Sequence, residues 1–313
     1  MQEIYTNKGS NDSYDEIDLQ ELFYVLLKGK WIIVSVTAFV SIIGVIYSLL
    51  LPNIYESKAL LDPVNSSSKI SKALGDYNAL AGFAGIRLPS GGDEGNSVKA
   101  IQKISSLSFF ENNILTNIYL PDLMAVKSWN STTNEVAFDE NIYDINTNTW
   151  VRDNPGQQIP SAQESFMVFK TKHLTFIEDK KTGFSTLSIK HQSPFIAKQW
   201  AELIVNEVNN FYRQKDKSES EKAVRYLNQQ ISMTPLSEIK QVLAQLLQEE
   251  TKKLALIEAN QFYVFDYIDP PAVMEQKSEP ARALISILSA LLGGMLSILI
   301  VLIRHYVFSK KTS

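Results

Sequence analysis

The sequence contains no cysteine. That removes thiol nucleophiles, disulfides and cysteine-ligated metals together, and it suits an oxidising compartment. Histidine is nearly as scarce: there are His173, His191 and His305, with no two at metal-ligand spacing. No metal site and no cofactor are therefore expected. A basic excess is missing too. The formal net charge is −4, without a basic stripe, which excludes nucleic acid as a partner. The Gly-rich stretch "GFAGIRLPSGGDEGN" (82–96) lacks a Lys-Ser/Thr pair at Walker spacing and is not a phosphate loop. No nucleophile–base pair is recognisable, and the neighbouring carboxylates Glu178 and Asp179 sit beside a turn. No catalytic residue is expected, and the chain is not expected to be an enzyme.

What the sequence has is apolar length in two places. Trp31 to Leu51 runs 21 residues without a charge and stops at Pro52. At about 1.5 Å per residue this makes roughly 32 Å of helix, enough for a hydrocarbon core of about 30 Å. Ala283 to Ile303 is a second uncharged run of 21 residues. Neither reads as a buried globular helix or, given its length and the absence of a small-x-small cleavage site, as a signal peptide. The lipid bilayer is thus one partner. Lys28, Lys30, Arg304, Lys310 and Lys311 flank the outer ends of the spans, against Lys58, Lys277 and Arg282 at the inner ends. This bias puts both termini in the cytoplasm and 52–282 on the other side.

The segment before the first span, "DEIDLQELFYVLLKGKW", sets Asp15, Glu16, Asp18 and Glu21 among apolar residues. Ser13 and Glu16 have capping-box spacing. Ile17, Leu19, Leu22, Phe23, Leu26 and Leu27 approximate one helical face. Anionic lipid does not attract acidic residues. The segment is either a docking face for a protein partner or neighbouring subunit, or a solvated lead-in to the span.

Between the spans, "YESKALL" (55–61) alternates as a strand, and a helix is plausible over Ser66 to Leu80. Helical spacing resumes through Val98, Ile101, Ile104 and Leu107. Residues 121–161 read as an irregular excursion with short strands. Leu174–Ile177 and Phe184–Ile189 flank a hairpin turn with Gly183. Pro194 opens a helix to about Met233, apolar on one face through Trp200, Ile204, Val208 and Phe211, and strongly polar after Tyr212. Thr234-Pro235 interrupts it. A second helix follows with a narrow stripe through Leu236, Ile239, Leu243, Leu246 and Leu247. "YVFDYIDPP" (263–271) reads as a returning strand. A mixed-charge half-helix does not belong in a core; it projects into solvent or packs on copies of itself.

The expected fold is α+β: two transmembrane helices flanking a base domain from which a long helical arm extends. The divisions are 1–30, the spans 31–51 and 283–303, a domain 52–282 (base 52–212 and 261–282, arm about 213–260), and a tail 304–313. Small residues in the second span, Ser286, Ala290, Gly293, Gly294 and Ser297, are candidates for close helix packing in lipid. Glu221, Arg225, Leu227 and Ile231 are candidates for contacts between subunits along the arm.

This combination resembles the polysaccharide co-polymerases, specifically the Wzz-type chain-length determinants of bacterial O-antigen. "DEIDLQELFYVLLKGKW", with Asp15, Glu16, Asp18 and Leu19, looks like the family's cytoplasmic entry motif. "DKKTGFSTLSIKHQSPFIAKQWAELIVNEVNNF" looks like its hairpin and helix signature. "DPPAVMEQKSEPARALISILSALLGG" is similar to its Pro-rich entry to the second span. One departure is that Gly293 and Gly294 are adjacent, where the family often has Gly-xxx-Gly. The resemblance implies a ring-like homo-oligomer in the bacterial inner membrane with its main domain in the periplasm. It also implies a role in setting the modal length of lipopolysaccharide O-antigen made by the Wzy polymerase on an undecaprenyl-linked carrier. Two other classes share parts of this layout. A two-span sensor receptor needs a signalling region for which neither flank has room. An inner-membrane component of a capsule or exopolysaccharide export system has the same two spans, and its deletion would abolish surface polymer rather than alter its length.

Overall fold

The computed structural model describes residues 19–64, 94–153, 157–260 and 262–308. Asp15, Glu16, Asp18 and the helix expected over Ser66 to Leu80 lie outside the described residues. The fold is α+β, with two helices long and apolar enough to cross a membrane. The chain divides into two units, one of residues up to Leu51 and from Glu279 onward, the other Pro52–Ser278. In the first unit α1 (Leu19–Lys28) is followed after Gly29 by the first span (Lys30–Leu50), which packs along the second span (Arg282–Ile303).

The second unit is built on a four-stranded antiparallel sheet whose strands lie in the order Leu174–Glu178, Ser185–His191, Tyr55–Pro63 and Phe265–Asp269. Strand β1 (Tyr55–Pro63) buries Ser57, Ala59 and Leu61 in alternation, the period of a pleated strand with one face on a core. After it come α2 (Glu94–Ile104) and a break at Ser105–Ser106. The Ser106 hydroxyl accepts the Phe109 N–H and caps a new helical run, so Leu107 belongs to that run and not to α2, correcting the single helix read through Leu107. The new run continues into a π turn, Phe110–Ile114, and drives Phe109, Phe110 and Ile114 into the core.

The excursion over 121–161 resolves into α3 (Leu120–Met124) and two small ladders. These are β2 (Val126–Asn130) with β3 (Glu135–Phe138), and β4 (Tyr143–Asp144) with β5 (Thr149–Trp150). Helix α4 (Ala162–Val168) leads on to β6 (Leu174–Glu178) and β7 (Ser185–His191). The β6–β7 turn closes with Gly183 at φ 77, a conformation that costs glycine nothing. Leu187 lies opposite Ala59, and Ile189 opposite Ser57.

Helix α5 (Pro194–Met233) starts with proline in its first turn, after Ser193, whose hydroxyl accepts the Ile196 N–H. Its first half buries Ala197, Trp200, Ala201, Ile204, Val205 and Val208 against the sheet. Beyond Tyr212 burial on α5 thins to Ser220 and Leu227. This half packs on α6 (Ser237–Ala259), which brings Leu243, Leu246, Leu247, Leu254 and Ile257 to the seam. The stripe does not begin at Leu236, which is exposed like Ile239. Strand β8 (Phe265–Asp269) then closes the sheet beside β1.

Candidate functional site

Three places hold the residues that sequence reasoning singled out, or groups it did not reach. The first is the seam between the spans. A Cβ on Gly293 would come within 2.9 Å of Val40 Cβ and 3.2 Å of Thr37 Cα, so only glycine permits this approach. A Cβ on Gly44 would collide with the Ser289 side chain. Gly293 and Ser297 are buried, while Ser286, Ala290 and Gly294 lie half-buried beside them. Gly294 has room: the nearest atom to its Cβ would be Thr37 Oγ1 at 4.0 Å. Hydroxyls along the seam are satisfied locally, with Ser289 donating to Ile285 O at 2.8 Å and Ser297 to Gly294 O at 2.7 Å. An apolar phase demands such internal pairing.

The second place is the arm. Leu227 is 9% exposed and lies on the α5 face that meets α6 of its own chain. Its apolar surface is largely covered within the chain. Ile231 is half-buried on the same face, whereas Arg225 is exposed and paired loosely at 3.8 Å with Glu221 one turn earlier. The root of the arm is tied down by polar contacts. Lys217 pairs with Glu258, Tyr263 donates its hydroxyl to Asp216 at 2.5 Å, and Arg213 donates to Asn260 O at 2.9 Å.

The third place, which sequence reasoning missed, is a cavity of about 520 Å³ in the second unit. Its lining comes from separate elements: Pro52 and Ile54 before β1, Asp122 and Met124 of α3, Arg152 and Glu164 around α4, and His173, His191 and Gln192 around the sheet. Arg152 grips Glu164 with two guanidinium nitrogens, Nη2 to Oε2 at 2.8 Å and Nη1 to Oε1. That hydrogen bond holds the Glu164 carboxyl below its ordinary range. His173, His191 and Trp200 cluster with ring centroids 5.0–5.6 Å apart, both imidazoles set edge-on to the Trp200 ring. His191 Nε2 donates to Asp122 O at 2.9 Å while its Nδ1 accepts the Ser193 N–H, and His173 Nδ1 donates to Lys190 O at 2.7 Å. Burial pushes both imidazoles down to about 4, helped at His173 by the charge His191 would carry.

At neutral pH the rings are uncharged, and both nitrogens of His191 are occupied by backbone. That is structural use, not the free lone pair a general base needs. Burial pushes the Asp122 carboxyl up to about 6. Gln192 donates its amide to Val126 O at 3.2 Å, and its Oε1 is buried with no partner among the described residues. Such a site carries donors and acceptors that a small polar molecule could meet. No local motif marks it, because its walls are drawn from five stretches far apart in sequence.

Residues 15–114 match the family model described as Wzz, chain length determinant protein. No curated protein sequence matches the chain. Among solved structures, a full-length bacterial polysaccharide co-polymerase is 14% identical with a TM-score of 0.43, covering 95% of this chain and all of its own. A fragment of WzzB, a polysaccharide co-polymerase from Salmonella Typhimurium, is 12% identical with a TM-score of 0.32, covering 72% of this chain and all of its own.

Proposed function

We propose that this chain, Wzz-type over residues 15–114, is a membrane-anchored polysaccharide co-polymerase that sets polymer chain length without catalysing a bond-forming step. The family match carries this reading. It spans the entry segment, the first span, β1 and α2. The architecture supports it: two apolar helices bracket an α+β unit that carries a helical arm. In this reading both termini are cytoplasmic, the unit 52–278 is periplasmic, and the polymer is O-antigen extended by a Wzy-type polymerase on an undecaprenyl carrier. Copies of the chain assemble into a ring. Exposed Arg225, Tyr226 and Met233, together with Glu221, supply contact surface on the arm. Asp15, Glu16, Asp18 and Leu19 form a cytoplasmic docking segment.

The deciding experiment is deletion of the gene followed by gel analysis of surface polysaccharide. Polymer present with an altered length distribution supports the reading. Loss of all polymer would favour an export component, and an unchanged ladder would defeat the reading.

A further inference from the structure

The cavity beside His191 has unspent acceptors. The Gln192 amide can lie only one way, because its nitrogen faces the Val126 carbonyl and a flip would set two oxygens against each other. Its Oε1 is left buried without a donor among the described residues, an unfavourable state if nothing fills it. On the same wall the Asp122 carboxylate has no hydrogen-bond donor among the described residues. Its backbone carbonyl is already taken by His191. Two acceptors in one cavity call for a molecule that brings donors.

The rest of the lining narrows the class. A cation would meet Arg152, Lys172 and Lys190 on the walls, and an anion would meet Asp122 and Glu164. A neutral ligand avoids both. Met124, Val126 and Ile142 supply an apolar side, which suits the C–H face of a sugar ring while its hydroxyls turn to the polar wall. The volume of about 520 Å³ lies within the roughly 300–1,000 Å³ of small-molecule sites.

We infer that this cavity binds a short neutral saccharide, whose hydroxyls donate to Gln192 Oε1 and to the Asp122 carboxylate. Choosing a saccharide among neutral polyols rests on the co-polymerase reading given above. The site makes the second unit a reader of the polymer itself, holding part of the chain whose length is being set. It needs no chemistry beyond hydrogen bonding and apolar contact.

The test uses the full chain in detergent micelles and saturation-transfer NMR. The probe is a set of oligosaccharides released by mild acid from the host's own surface polysaccharide, with glycerol as the control. Saturable transfer to the oligosaccharides and none to glycerol is the expected result. Gln192→Leu removes the orphan acceptor and should weaken binding about tenfold, the equivalent of roughly 1.4 kcal/mol. Ile142→Trp fills the cavity from another lining position without changing Gln192, and should abolish binding even if the first variant folds poorly. Thermal melting checks that each variant is folded. Absence of transfer in the wild type, equal transfer in both variants, or equal transfer to glycerol overturns the inference. The co-polymerase reading stands or falls separately, on the polymer ladder of the deletion strain.

Discussion

Asn209 and Phe265 are joined twice: the Asn209 amide donates to Phe265 O at 2.9 Å and accepts the Phe265 N–H at 3.0 Å. The same Oδ1 also takes the N–H groups of Val264 at 2.7 Å and Tyr263 at 3.2 Å. One buried side chain on α5 thereby behaves like an extra strand, and it pins the returning chain where the arm ends and β8 begins. Replacing it with leucine strips several buried backbone groups of their partner, at about 1–3 kcal/mol each. Asn209→Leu should lose on the order of 3–5 kcal/mol in denaturant unfolding. Asn209→Asp keeps the acceptor and should lose less. Equal midpoints for wild type and Asn209→Leu would refute this role.

The span seam separates two adjacent glycines. Gly293 faces the first span with no space for a Cβ, whereas Gly294 has 4.0 Å to its nearest neighbour. Gly293→Val should splay the helices and lower the melting temperature in detergent, and Gly294→Ala should leave stability within about 0.5 kcal/mol of wild type, as for an uncrowded surface change. Engineered cysteine pairs across the seam, scored for cross-linking efficiency, provide the check. If both substitutions behave alike, packing in the seam is looser than the glycine geometry implies.

Stability should respond to pH through groups of opposite sense. The folded pKa of Asp122 is raised from 3.8 to about 6, so its ionisation penalises the folded state fully above that value and not at all below its ordinary one. His173 and His191 are lowered from 6.5 to about 4. They contribute stability that is complete above their ordinary value and lost as pH falls toward the folded one. Two histidines outweigh one aspartate, so the urea midpoint should fall on acidification from pH 7 to about 4.5. Asp122→Asn should be more stable than wild type at pH 7, with a steeper acid decline because the opposing group is gone. A variant profile parallel to wild type would rule out Asp122 as the titrating group.

On the arm, Glu221 and Arg225 form an open pair at 3.8 Å, worth at most about 0.2–1 kcal/mol to the chain itself. Swapping the two charges should therefore barely move unfolding. If these residues meet neighbouring copies, the swap should shift the polymer length distribution and the oligomer size in detergent. Leu227→Asp is a different experiment. It buries a charge in the α5–α6 seam and should unfold the arm, a loss visible as protease sensitivity near Pro235. Wild-type oligomers and a wild-type ladder from the charge swap would make the arm a passive spacer.

The spans were legible because 21 uncharged residues have few alternatives. The β6–β7 hairpin announced itself through Gly183 between alternating runs, and the end of α5 through Thr234-Pro235. The reach of α5 was legible too, since nothing in it breaks a helix. The cover that α6 gives Leu227 was not legible, because it comes from a helix beyond the proline. Asn209 read as a polar residue on a helix flank, since its partners lie more than fifty positions away. The small ladders had a signal that went unused. Asn130, Asp139 and Asp144 each accept the N–H two residues on, and Asn134 and Asn148 take positive φ, marks of Asx-type turns. The cavity had no such mark, because it exists only once the sheet and α3 are together.

After Pro194, α5 contains neither glycine nor proline through Met233, so it has no place to bend sharply. Its 40 residues make a strut of about 60 Å, clamped to the sheet at one end. A lever of that kind magnifies: tilting it by about 5° would carry its far end about 5 Å. A rotamer change at Trp200 or Ile204, too small to alter the sheet, would therefore reach Met233 as a displacement as wide as a helix turn. How finely the far end of the arm is placed is thus set in the base, by how tightly those two side chains are held.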